Sequence, residues 1–191
     1  EARLGVNFDW RPLTLDIESY LGSARKSEGQ VVESNRSQLQ WLMVKYAYMD
    51  ARRYAGLRGL VLKGTEKIWD SSLAGISMQW ICKFHRDRLP DYLNMVFPRF
   101  WRRELNIESI DVLESCVREL DIDLQGYRDY CLDQGKVEHD ELQASLHPAG
   151  IFGVPSYVIN ERILFGREHL PVIEWMLTGE NGPTPYMSNP I

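Results

Sequence analysis

From Ser37 the apolar residues recur at three- and four-residue spacing: Leu39, Leu42, Met43, Tyr46 and Met49 mark one face of a helix, with Gly56 as its stop. The same period predicts helices over Ser71–Arg86, capped by Asp70, and over Pro90–Glu104, Glu108–Leu120, Leu124–Leu132 and Glu138–Leu146. Each is broken by Gly, Pro or a polar turn, and Pro98 is predicted to kink the helix that holds it. Toward both ends the period changes to two. Val6, Phe8 and Trp10 alternate with Asn7 and Asp9, which reads as a strand ended by Pro12. Ser156–Asn160 and Arg162–Phe165 read as two strands joined tightly enough to form a hairpin, followed by a helix near Glu168–Leu177. The polar stretch "GSARKSEGQVVESNR" reads as a loop, and "GENGPTPYMSNPI" as an extended or disordered tail. There are no internal repeats.

Two features of this pattern are unusual. The strand after Val154 opens with Pro155, which has no N–H for a ladder and therefore belongs at a strand's first residue, on an edge, or where something other than a strand uses the backbone of residue 154. One strand and one hairpin also make no stable sheet by themselves. A strand is missing.

Composition narrows the function classes. The chain has 191 residues, 44% hydrophobic and 26% charged, which fits one domain with an insertion as well as two domains. A net charge of -5 argues against nucleic acid as the main partner, and the apolar runs are too short to span a bilayer. No leader pattern opens the sequence, so a cytoplasmic setting is expected. Cys82, Cys116 and Cys131 are widely spaced with no C-x-x-C, and they read as buried small hydrophobes rather than a redox pair, a zinc cluster or a Cys116–Cys131 bridge. His85 and His139 are predicted on polar helix faces and His169 in the first turn of the last helix, none spaced as metal ligands; His147 reads as a helix-end residue rather than a proton-transfer group. Asp50, Arg52, Arg53 and Arg58 read as intrahelical pairs, and Phe97, Phe100 and Trp101 as a packing face.

The end of the chain, "GIFGVPSYVINERILFGREHLPVIEWML", resembles the C-terminal part of thioredoxin-fold proteins of the DsbA-like superfamily, most closely the 2-hydroxychromene-2-carboxylate isomerases and kappa-class glutathione transferases. "VNFDWRPLTL" resembles their second strand, and "KYAYMDARRYAGLRGL" and "VFPRFWRRELNIESIDVLESCVRELDID" their inserted helices. The resemblance covers nearly all of residues 1–178. It implies an α/β thioredoxin-like fold with a large all-helical insertion: residues 1–30 and 148–178 form the thioredoxin-like domain, 37–147 the insertion and 179–191 the tail. The first strand and first helix, with a catalytic Ser (or the C-x-x-C of an oxidoreductase), are expected upstream of Glu1, leaving a gap in the sheet between Val6–Trp10 and Ser156–Asn160.

The resemblance also implies a site. Pro155 is expected to follow a cis peptide, with the backbone of Val154 pairing with glutathione or a peptide as an added strand would. Phe165, Gly166, Arg167 and Glu168 take the place of the glutathione contacts after the fourth strand. Backbone N–H groups at the start of the last helix suit a carboxylate, Glu168 suits an α-ammonium group, and Arg167 suits a glutathione carboxylate. Gln30 takes roughly the place of a glutathione-contacting Asn. The expected activity is a glutathione-dependent isomerisation of a small aromatic-derived substrate, with a second copy of the chain as a candidate partner in a homodimer. A thiol:disulfide oxidoreductase and a non-catalytic thiol or peptide binder remain the alternatives.

Overall fold

The computed structural model describes residue 1 and residues 3–185. Two compact units divide the chain: Thr14–Asp140, and Glu1–Leu13 together with Glu141–Ile191. The part of the expected tail at 186–191 lies outside the described residues.

The first of these units is mainly helical. It begins with α1 (Ile17–Leu21), then a hairpin of β1 (Ala24–Ser27) and β2 (Gln30–Ser34), where the sequence pattern gives only a loop. No alternation marks the strands, because β1 is mostly polar and the two valines of β2, Val31 and Val32, are adjacent; the hairpin is made by its turn. Glu28 and Gly29, at φ 51° and 80°, form the two-residue left-handed connection that matches strand twist, and the Lys26 N–H donates to the Glu66 carbonyl. Next comes α2 (Gln38–Gly56), opened by a reciprocal cap in which Ser37 Oγ accepts from the Gln40 N–H and the Gln40 side chain accepts from the Ser37 N–H.

The core of the unit is built from α3 (Ser72–Phe84), α4 (Leu89–Trp101), α5 (Ile110–Arg118), α6 (Tyr127–Leu132) and the start of α7 (Gln134–Leu146). Leu89, Ile81, Leu113, Val117, Tyr127 and Cys131 are almost fully buried there. α4 continues through Pro98. Three buried hydroxyls satisfy one another: Tyr92 OH donates to Ser77 Oγ, and Ser77 Oγ lies 2.8 Å from Tyr127 OH. His139 departs from the expectation of a polar face. It is 3% exposed, with Nε2 3.1 Å from Thr14 Oγ1, a partner 125 positions away that helix periodicity cannot reveal.

Cys116 and Cys131 are buried thiols, and Cys82 is half-buried. Burial pushes the Cys131 thiol up to about 11, and it also raises Cys116 against the opposing pull of the Arg99 guanidinium. A thiol kept neutral is a poor nucleophile. At pH 8 a disulfide reagent should therefore titrate no more than Cys82 in the native protein and all three thiols after denaturation; modification of Cys131 without unfolding would contradict its placement. Because its folded value lies above the ordinary thiol value of 9.0, the stability that burial of Cys131 contributes is complete below pH 9 and is lost as pH rises through about 11.

The second unit carries a smaller α/β assembly. β3 (Ser156–Ile159) and β4 (Arg162–Phe165) pair antiparallel, Ser156 opposite Phe165 and Val158 opposite Ile163. Asn160 and Glu161, at φ 49° and 66°, make the two-residue turn. A single 3-10 turn at Arg167–His169 leads into α8 (Leu170–Leu177), with Pro171 in its first turn, where a missing N–H costs nothing. Ile159 on the hairpin packs with Val172, Ile173 and Met176 of α8, and Phe8, Tyr157 and Leu164 lean on this cluster. Arg3 donates to both carboxylate oxygens of Glu174 at 2.6 Å.

Residues Val6–Trp10 are not a strand, contrary to their alternation. Alternation marks a chain able to line a half-buried surface, but a strand needs a ladder partner, and here the Phe8 N–H donates instead to the Glu1 side chain at 2.7 Å. Among the described residues the outer edge of β3 pairs with nothing, and no ladder lies between it and Val6–Trp10.

Candidate functional site

The end of β4 and the turn before β3 meet through one backbone bond. The Gly166 N–H donates to the Pro155 carbonyl at 2.9 Å, which sets residues 153–156 beside residues 165–168. The Val154–Pro155 peptide is cis. Val154 is 52% exposed, and among the described residues neither its N–H nor its C=O has a partner. A donor and an acceptor on one exposed residue, at the head of an open strand edge, are what strand addition by another peptide requires.

The neighbouring side chains follow from two glycines. Gly153 is buried, and a Cβ there would come within 2.6 Å of the Phe165 ring; the absence of a side chain lets that ring lie across the backbone, with its centroid 4.8 Å from that of Phe152. Gly166 takes φ 106° and ψ 155°, a conformation open to glycine and to little else, and the Glu168 carboxylate folds over its Cα where a Cβ would stand. Arg167 is exposed beside it. The structure thus brings Val154, Pro155, Phe165, Gly166, Arg167 and Glu168 into one patch, exposed at all of them but Gly166.

Phe152 belongs to this patch and was not among the residues the sequence singled out. It is 63% exposed, and its signal is a large aromatic residue placed just before a glycine that must stay small. Val158 and Ile163 extend the same hairpin face and are also exposed, so the patch has an apolar side next to its polar one.

Other candidate residues lie elsewhere. His147 follows the end of α7 in an exposed turn, with its carbonyl accepting from the Gly150 N–H. His85 stacks on Trp80 with centroids 4.6 Å apart, and His169 sits in the 3-10 turn before α8. Arg52 Nε donates to the Leu62 carbonyl and Arg58 to the Tyr54 carbonyl, as structural links of α2. Gln30 lies at the head of β2 in the helical unit. Phe100 is edge-on to Trp69 and Trp101, bordering a shallow cleft of about 330 Å³ with Arg103, Leu105 and Asn106. Phe97 is exposed. Among the described residues no helix is long and apolar enough to cross a membrane, and no group of three potential metal ligands forms.

A family model described as a DSBA-like thioredoxin domain matches residues 1–177. The chain belongs to the DsbA-like thioredoxin family. The architecture is that of a mixed α/β DsbA-like thioredoxin fold, and an all-helical insertion is consistent with the structural neighbour described next. Among solved structures this DsbA-like chain is similar to a 2-hydroxychromene-2-carboxylate isomerase, at 18% identity with a TM-score of 0.59. The match spans 72% of this chain and 66% of that one; at such identity it shows a shared fold. No curated protein matches the chain.

Proposed function

We propose that this DsbA-like protein is a glutathione-dependent isomerase of the 2-hydroxychromene-2-carboxylate isomerase type, acting on an unsaturated, aromatic-derived acid. The observation that carries this reading is the unpartnered backbone of Val154, next to Pro155, whose carbonyl accepts from the Gly166 N–H at 2.9 Å. A γ-glutamyl tripeptide presents a peptide N–H and C=O, carboxylates and an ammonium group, and each of these kinds of group has a counterpart in the patch. Val154 pairs with the peptide backbone. Arg167 neutralises a carboxylate, and Glu168, folded over Gly166, accepts from the ammonium group. Phe152 and Phe165 supply an apolar wall for an aromatic substrate.

Glutathione bound there supplies a thiolate, whose reversible addition to a double bond lets that bond rotate. The residues of this chain bind and orient it. Stabilisation of that thiolate by a serine is part of the same reading and is carried by the family resemblance alone. A cytoplasmic setting belongs to the same reading.

Calorimetric titration with reduced glutathione tests the proposal. Binding should be detectable, and Glu168→Gln should weaken it about fivefold or more, the scale of one charge-assisted bond, with an unchanged urea midpoint. No binding by the native protein would sink the glutathione reading. Binding without glutathione-dependent turnover of 2-hydroxychromene-2-carboxylate would leave a thiol binder.

A further inference from the structure

An open cleft of about 570 Å³ lies between the end of α3 and α6, within the helical unit. Part of its lining is aromatic. Trp80 and Phe84, one turn apart on α3, have ring centroids 5.8 Å apart, and Tyr130 of α6 stands edge-on to Phe84 at 5.9 Å. Trp80 is 2% exposed, yet it lines the cleft, and among the described residues its indole N–H has no hydrogen-bond partner. A donor so deeply placed needs an acceptor, and the cleft is where one can come from.

The rest of the lining is acidic. Asp123, Asp129 and Asp133 border the same cleft, and among the described residues none of the three has an ion-pair partner. Asp123 accepts from the Gln125 N–H at 3.1 Å. Asp129 and Asp133 are four positions apart at the C-terminal end of α6, where like charges repel and the helix dipole favours a cation over a carboxylate. Lys83 does not neutralise them, because Glu138 holds its ammonium group at 2.6 Å. That ammonium lies 5.4 Å from the centroid of Tyr130 and 5.8 Å from that of Phe84, which shows that these rings accept a cation.

The unmet groups identify the ligand by its chemistry. Unmatched carboxylates beside aromatic rings suit an organic ammonium ion, and the indole N–H suits an acceptor carried on the same molecule. A metal ion would need a group of three ligating side chains, and among the described residues none forms. We propose that the cleft between α3 and α6 binds a small organic ammonium ion that carries a hydrogen-bond acceptor. Asp129 and Asp133 take its charge, and the Trp80 N–H donates to its acceptor. The inference is independent of the glutathione reading, because every residue it uses lies in the helical unit and none belongs to that patch.

Proton–nitrogen NMR of the full chain tests it, with acetylcholine as the probe and, as its neutral isostere, the ester in which a tert-butyl group replaces the trimethylammonium group. Millimolar acetylcholine should shift the assigned Trp80 indole signal saturably. The isostere keeps the shape and the acceptor but not the charge, and it should bind about tenfold more weakly or worse. Asp129→Asn and Asp133→Asn should each weaken acetylcholine about threefold, the scale of one exposed charge pair, without lowering the urea midpoint. A Trp80 signal that millimolar acetylcholine leaves in place overturns the proposal, and so does an isostere bound as tightly as acetylcholine or binding unchanged in either aspartate variant.

Discussion

Gly135→Ala should destabilise the helical unit by about 3 kcal/mol and lower its urea midpoint by about 1.5 M. Helix propensity alone forecasts the opposite, because alanine is better than glycine in a helix by about 1 kcal/mol. Packing reverses the sign. A Cβ at Gly135, in the first turn of α7, would stand 2.6 Å from Ile76 Cγ2 and 2.7 Å from both the Tyr130 ring and the Tyr130 carbonyl oxygen. Neither neighbour can yield cheaply: Ile76 is 2% exposed in the core, and the Tyr130 ring is pinned through its hydroxyl to Glu138 at 2.7 Å. The carbonyl is backbone. A midpoint equal to or above that of the native protein would show that α6 and α7 do not approach so closely.

Gly166→Ala should abolish measurable glutathione binding under the proposed function while costing about 2 kcal/mol of stability. An alanine at φ 106° is strained, and its Cβ would occupy the space of the Glu168 carboxylate. The side chain of Glu168 is flexible at its far end and would swing away, so the ammonium contact is lost first. The strained backbone would also disturb the Gly166 N–H bond to the Pro155 carbonyl that holds Val154 beside the turn. Glu168→Gln removes only the first of these effects. If Gly166→Ala bound glutathione no worse than Glu168→Gln, the Val154 backbone would have no part in recognition.

What was legible in the sequence followed the range of the interactions involved. The hairpin β3–β4 and α3 to α6 are written in local period and in Gly, Pro and Asn placement, and the structure departs from them by a few residues at most at their ends. The pairing of β1 with β2 was hidden because neither strand alternates, β1 being mostly polar and the valines of β2 adjacent, although Glu28-Gly29 carries the turn signal. Val6–Trp10 misled in the other direction, since its period is right and its partner strand is absent from the ladder. The six residues of the patch came from resemblance rather than from period, and the Gly166–Pro155 bond that joins them is a contact between turns eleven residues apart. Phe152 was missed because an exposed aromatic reads as ordinary until the ring it touches is known.

Among the described residues the two apolar clusters differ greatly in size: fifteen buried residues centre the helical unit, whereas four hold the hairpin to α8. The candidate site therefore rides on the part of the molecule with less to lose on opening. Heat should melt that part first, and a ligand held between Val154 and Glu168 would move only the lower of two transitions, by an amount set by its concentration relative to its dissociation constant. Occupancy of the site would be read as order in the hairpin, leaving the larger core indifferent to whether anything is bound.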